Sequence, residues 1–183
     1  MQGEAMKKVF IGVAGLVATI FVLFVLVASK GTPPQVVALG ASNVAGFGVS
    51  RSEAFTAQLE AMLRAAGYDI TIRNAGVSGN TTTDMLNRFE HVIPPGTKVV
   101  ILDMSGGYFN NDQKGISGER GYADMSTIVA GLRARGIKIV PERAAEISKR
   151  YKQEDGVHLT AEGHHILAGQ LLPQLVEALS HPK

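Results

Sequence analysis

Two short segments near opposite ends of the domain carry side chains that could perform nucleophilic catalysis. Ser42 lies in a turn of small residues directly after the apolar run Val36–Leu39, and Asp155 and His158 lie three residues apart near the other end. A serine hydroxyl becomes a nucleophile when a base takes its proton, and an imidazole is that base when a carboxylate fixes its tautomer. The three residues therefore predict a serine hydrolase with the chain order Ser42, Asp155, His158.

Two further segments could stabilise the negative charge that such a reaction develops. Gly79 precedes a predicted helix, where its backbone N–H could face an anion. Asn110 follows a predicted strand in the segment 105–112, and its amide could donate a hydrogen bond to an oxyanion, an interaction typically worth about 2.7–4 kcal/mol in the transition state. A plain strand–helix connection at Gly79 and an asparagine-rich turn at Asn110 are the alternatives.

The same residues do not indicate a metal or cofactor site. Asp155 and His158 could both ligate a metal, but they would need further ligands, and no His-Glu-x-x-His or similar cluster supplies them. The chain has no cysteine, which excludes disulfides and thiolate sites. We expect neither a metal nor a cofactor. His164 and His165 lie on the following helix and are expected to face solvent or the groove.

From Gln35 onward, strand and helix patterns alternate. Short apolar runs predict strands at 35–39, 68–73, 99–102 and 136–140, and apolar residues at helical spacing predict helices at 52–66, 82–92, 119–135 and 160–179, the first capped by Ser52. This order predicts a three-layer α/β/α domain over residues 35–183, with a flavodoxin-like parallel sheet of four to five strands. Ligands bind beyond the carboxyl ends of such strands, so Ser42, Gly79 and Asn110 should gather at one edge.

The first thirty residues have a different character. Lys7-Lys8 precede an uncharged apolar stretch from Val9 to Ala28, about the length of a membrane-spanning helix. We expect residues 1–30 to be a signal anchor with its N-terminus in the cytoplasm, or a cleaved signal peptide, and residues 31–34 to be a linker. The domain would then be anchored facing the periplasm or exterior, or exported.

Charge and composition exclude one class of partner. Beyond the N-terminal segment, basic and acidic side chains balance, and aromatic residues make up only 6% of the chain. A nucleic-acid-binding surface would need a basic stripe, so we expect no nucleic-acid partner.

In order along the chain, these segments resemble the blocks of the SGNH hydrolase superfamily, also called GDSL esterases and lipases. Gly40-Ala41-Ser42 is similar to the nucleophile block, Asn74-Ala-Gly-Val-Ser-Gly79 to the second block, and Asp155-Gly-Val-His158-Leu-Thr-Ala-Glu-Gly to the last. The small periplasmic thioesterase/lysophospholipase-like and arylesterase-like members look nearest. The resemblance implies a Ser42 nucleophile, a His158 base oriented by Asp155, and an oxyanion hole formed by Ser42, Gly79 and an asparagine.

The chain departs from this family pattern at two places. Ala41 stands where the family usually has aspartate, so the turn loses an anchoring acceptor. In the third block, Tyr108-Phe109 separate the glycines from the asparagines. Counting back from Lys114 favours Asn110 as the donor, whereas matching the Asn-Asp dipeptide favours Asn111.

The resemblance implies an esterase that cleaves small or lipid-like acyl esters or thioesters. Two alternatives remain open: a carbohydrate O-acetyl esterase of the cell envelope, with identical site chemistry, and a non-catalytic binding protein on a degenerate hydrolase fold, motivated by Ala41 and the altered third block.

Overall fold

The computed structural model describes residues 35–147 and 149–180. The expected anchor or signal segment 1–30 and the linker 31–34 lie outside them. Within the described ranges, no helix is both long and apolar enough to span a bilayer.

Four parallel strands form a single sheet in the order β2-β1-β3-β4. They are β1 (Val36–Gly40), β2 (Ile72–Gly76), β3 (Val99–Asp103) and β4 (Lys138–Glu142). The helices are α1 (Ser42–Ala45), α2 (Phe55–Ala65), α3 (Thr82–Val92), α4 (Gly106–Gln113), α5 (Gly118–Ala134) and α6 (Ala161–Ser180), with 3₁₀ turns at Ala144–Glu146 and Lys149–Tyr151.

Successive side chains of the central strands point to opposite faces of the sheet, and helices cover both faces. Val36 and Ala38 of β1 pack into one core with apolar residues of α2 and α6, whereas Val37 and Leu39 point into a second core with residues of α3 and α5. Every residue of β1 and β3 is buried, as expected of parallel strands covered on both faces. The predicted α/β/α architecture and the parallel sheet are confirmed.

Some predicted boundaries were wrong. Ser52 does not cap a helix, because Ser50 and Glu53 close a turn through the Glu53 carboxylate and α2 begins only at Phe55. Strand β2 begins at Ile72 rather than at 68, and it runs through Gly76, beyond the predicted end at 73.

A helix, α4, also begins within the segment 105–112, where the sequence suggested an asparagine-rich turn. Two consecutive glycines make a poor helix start, yet α4 begins at Gly106. The Asp103 carboxylate accepts hydrogen bonds from the N–H groups of Ser105 and Gly106, at 2.8 and 2.7 Å. Asp103, two and three residues before these amides, satisfies N–H groups that a helix N-terminus otherwise leaves unpaired.

Candidate active site

Asp155 and His158 form a tight pair in the loop before α6. The Asp155 Oδ2 atom lies 2.5 Å from His158 Nδ1, and Oδ1 accepts the backbone N–H groups of Val157 and His158, each at 2.9 Å. The hydrogen bond from the His158 side chain, followed by those from the backbone of His158 and Val157, lowers the pKa of Asp155 well below its usual value. An ionised carboxylate only accepts, so Nδ1 carries the proton and Nε2 is left as the basic nitrogen.

Ser42 is the first residue of α1, directly beyond the carboxyl end of β1. It is half-buried and lines a cavity of about 280 Å³. Gly40, which ends β1, is required by packing, because a Cβ there would overlap Val44 and Asp103. The chain can therefore turn sharply out of the sheet and present Ser42 at its edge.

Three contacts join the segment after Ser42 to the segment around His158. The side-chain oxygen of Asn43 accepts the backbone N–H of Leu159 at 3.0 Å. The amide of Gln153 donates to the backbone oxygens of Phe47, at 2.9 Å, and Leu159, at 2.8 Å. The Phe47 ring lies 4.4 Å from the imidazole of His158, centroid to centroid. Residues far apart in sequence are thus brought to the same edge of the sheet.

Asn110 on α4 contacts the loop that contains Gly79. Asn110 donates through Nδ2 to the backbone oxygen of Asn80 at 2.7 Å. Gly79 has a φ of +77°, a conformation that favours glycine, and among the described residues its N–H has no hydrogen-bond partner. Arg88 supports this loop from α3 by donating to the Asn80 side chain and to the backbone oxygen of Gly40.

Asn111 points elsewhere. It is 1% exposed, accepts the backbone N–H of Thr82 at 3.0 Å and donates to the Thr82 hydroxyl at 2.8 Å. Both ends of its amide are used to join α4 to the N-terminus of α3. This arrangement favours Asn110 over Asn111 as an amide that can face a ligand.

Both polar and apolar residues line the cavity beside Ser42. Its residues are Ser42, Asn43, Ser105, Gly106, Phe109, Ala145, Ile147, Lys152, Gly156 and Val157. Two larger cavities, of about 620 and 740 Å³, lie beside β4 and α6 and beside α2 and β2, and neither includes Ser42. Within the described ranges, no three His, Asp or Glu side chains cluster so as to hold a metal ion.

The sequence interpretation missed several of these residues and misplaced one. Asn43, Asp103 and Gln153 connect the loops of the site, and their positions at strand ends and in turns were the only signal. His164 does not face solvent or the groove. It is fully buried, and its Nδ1 accepts the N–H of Phe55 at 3.2 Å, because it lies on the face of α6 that packs against α2.

Comparison with known proteins identifies the family of this chain. The pattern of the GDSL-like Lipase/Acylhydrolase family matches residues 38–148. Esterase TesA of Pseudomonas aeruginosa is 24% identical over 116 residues, which are 63% of this chain and 57% of that relative, so the chain matches little more than half of its length.

Solved structures of esterases have a similar fold. AlinE4, an SGNH-hydrolase family esterase, is 26% identical with a TM-score of 0.58, covering 85% of this chain and all of AlinE4. The psychrotrophic esterase EstA from Pseudoalteromonas is 14% identical with a TM-score of 0.68, covering 80% of this chain and 98% of EstA. With its matching sequence pattern, the chain belongs to the GDSL-like lipase/acylhydrolase family.

Proposed function

We propose that the protein is a serine esterase that cleaves carboxylic esters or thioesters through an acyl-enzyme on Ser42. One observation carries the proposal: the Asp155–His158 pair is joined through the Leu159 N–H to Asn43, which is next to Ser42 and lines the same cavity as Ser42. A nucleophile, a base and an orienting carboxylate at one cavity are the parts that acyl transfer needs.

In the first half of the proposed reaction, Ser42 Oγ attacks the acyl carbon while His158 Nε2 takes its proton. The carbonyl oxygen becomes an oxyanion. His158 then gives the proton to the leaving alcohol or thiol as the carbon–leaving-group bond breaks. In the second half, water attacks the acyl-enzyme with His158 again as base, and the proton returns to Ser42 Oγ as the acid leaves.

Three donors are proposed for the oxyanion: the backbone N–H groups of Ser42 and Gly79 and the side-chain amide of Asn110. The N–H of Ser42 lies at the first position of α1, where no intrahelical acceptor exists. Asn110 uses one amide hydrogen on Asn80 and keeps the second for a ligand. Such donors stabilise charge that is present only in the transition state.

The surroundings of the cavity support an acyl group as the recognised part of the substrate. At about 280 Å³ the cavity is just below the range of roughly 300–1,000 Å³ that holds drug-sized ligands, which favours a short acyl chain inside it. Four large apolar side chains that follow the carboxyl ends of β1, β2 and β3 are each 39–49% exposed: Phe47, Val77, Met104 and Phe109. This apolar rim could accept the remainder of a lipid-like substrate.

The test is labelling of the full chain with a fluorophosphonate, followed by mass spectrometry to locate the adduct. We expect the adduct on Ser42, and Ser42→Ala and His158→Ala should lose nearly all turnover of p-nitrophenyl acyl esters. Labelling that persists in Ser42→Ala would exclude Ser42 as the nucleophile. Turnover of acetylated glycans alone would favour the O-acetyl esterase alternative, and a folded protein with neither labelling nor turnover would indicate a binding protein.

For residues 1–30 we propose a role as an anchor or export signal. The support is their uncharged apolar stretch after Lys7-Lys8. Fractionation of cells that express the full chain, with N-terminal sequencing of the product, would separate an anchored protein from a cleaved one. A full-length product in the cytoplasm would contradict both.

A further inference from the structure

The Asp103 carboxylate joins two segments that line the cavity. It is 2% exposed at the end of β3, and its Oδ2 accepts the N–H of Ala41 at 2.9 Å while Oδ1 accepts those of Ser105 and Gly106. A Cβ at Gly40 or at Gly106 would overlap Asp103. The glycines around it therefore leave room for a carboxylate, and this carboxylate holds the backbone of the residue before Ser42.

A second buried carboxyl lies beside the first. Glu142 pairs with Asp103 in the register of β3 and β4 and is 0% exposed. Its Oε1 accepts the N–H of Ala144 at 2.8 Å, whereas its Oε2 has no hydrogen-bond donor among the described residues. The cation on this side, Lys152, donates instead to the backbone oxygens of Val157, at 3.0 Å, and Ala144, at 3.4 Å.

The burial and contacts of Asp103 and Glu142 indicate which of the two carboxyl groups carries a proton. Burial, and then the neighbouring charge of Asp103, raise the pKa of Glu142 well above its usual value. The hydrogen bond from the Ala144 N–H, and then the charge of Lys152, oppose this only in part. Two adjacent carboxyl groups in a dry interior cannot both ionise without a large cost. Asp103 accepts three N–H groups and Glu142 accepts one, so hydrogen bonds stabilise a negative charge better on Asp103.

We propose that Glu142 carries a proton that its Oε2 donates to Asp103, and that this carboxyl pair positions the turn that presents Ser42. Ala41 has no polar side chain, so Asp103 supplies from β3 the acceptor that fixes this turn. The pair acts through Ala41 and the start of α4 rather than on the substrate, and its effect on turnover rests on the proposed function of Ser42.

The protonation state can be tested without any activity assay. Infrared spectroscopy of the folded protein at neutral pH, with and without isotopic labelling of glutamate, should show the C=O stretch of a protonated carboxyl that disappears in Glu142→Gln. Absence of such a band would overturn the shared proton. If Ser42 proved not to be the nucleophile, this measurement would be unaffected.

The positioning role is tested with four variants measured below their melting temperatures. Asp103→Asn cannot accept with both side-chain atoms, so kcat and the rate of fluorophosphonate labelling should fall, by up to about 100-fold for a displacement of 1 Å, with KM little changed. Glu142→Leu removes the donor to Asp103 and should also lower kcat. Glu142→Gln, which keeps a neutral donor, should restore kcat to near the wild-type value.

Asp124 provides the matched control. It is also 2% exposed and accepts hydrogen bonds, from Thr82, Thr83 and Arg120, but it does not line the cavity. Asp124→Asn should lower stability and leave kcat unchanged. If Asp103→Asn keeps the wild-type kcat, or if Asp124→Asn loses as much, or if Glu142→Gln fares no better than Glu142→Leu, the positioning role is wrong.

Discussion

The bond between Asn43 and Leu159 should set the distance between the proposed nucleophile and its base, and Asn43→Ala tests it. Leu159 is 0% exposed and its N–H has the Asn43 oxygen as its acceptor, at 3.0 Å. An unsatisfied buried N–H costs about 1–3 kcal/mol. Each kcal/mol lowers the melting temperature of a domain of this size by about 2–4 °C.

The effect on catalysis should be larger than the effect on stability. His158 immediately precedes Leu159, so a loosened Leu159 displaces the imidazole relative to Ser42. A displacement of 1 Å can reduce the rate about 100-fold. The Gln153–Phe47 hydrogen bond still holds the two segments together, which makes this an upper bound. We therefore expect a decrease in kcat of about 10- to 100-fold, measured with a p-nitrophenyl ester at saturation.

Asn43→Asp is the matched control, because it keeps an oxygen acceptor at the same place. It should retain the melting temperature and most of kcat. The kcat values are compared on the plateau of each pH profile, because the added charge stabilises a protonated His158 and so shifts the profile. Two results would refute the reasoning. One is a wild-type kcat in Asn43→Ala with a lowered melting temperature, and the other is an equal loss of kcat in both variants.

Three further predictions concern residues at and behind the site. Asp155→Ala should lower kcat less than His158→Ala, because Asp155 orients the base and forms no bond to the substrate; equal losses in steady-state assays would contradict this. Asn110→Ala should lower kcat about 100- to 1,000-fold, whereas Asn111→Ala should mainly lower the melting temperature; the reverse pattern would assign the oxyanion donor to Asn111. Burial lowers the pKa of His164 from its ordinary 6.5 to about 4, so the folded state binds fewer protons than the unfolded state in this range, and stability should fall as pH drops from 6.5 to 4, by about 3 kcal/mol. His164→Asn, which keeps an acceptor for the buried N–H, should flatten this slope in urea unfolding curves, and an unchanged slope would exclude His164 as its source.

The central strands could be predicted from the sequence because their environment is uniform. All five residues of β1 and of β3 are buried, which leaves a continuous apolar run. Strand β2 lies at the sheet edge, and exposed Asn74, followed by small residues, resembled the start of a connection, so the predicted strand ended at Arg73. Its end at Gly76 depends on pairing with Gly40 of β1, which no local pattern reveals.

In the candidate site, too, local contacts could be predicted from the sequence and contacts between distant residues could not. Asp155 and His158 are three residues apart, and their hydrogen bond is local, so spacing alone could predict the pair. Asn43 acts on a residue 116 positions away, and Asp103 on one 62 positions away. These partners meet only because parallel strands bring their carboxyl ends to one edge, so the sequence predicts that edge but not which polar side chains pair across it.

At Ala41, an anchoring group that is missing from the side chain is supplied by a residue distant in sequence. The sequence suggested that the turn before Ser42 loses an acceptor. The structure instead brings the Asp103 carboxylate to the N–H of that same residue. Burying this charge is costly unless it is hydrogen-bonded, and three N–H donors supply those bonds. Because a backbone N–H can be held from any neighbouring strand end, an altered nucleophile block is weak evidence for a degenerate site when a buried carboxylate lies beside it.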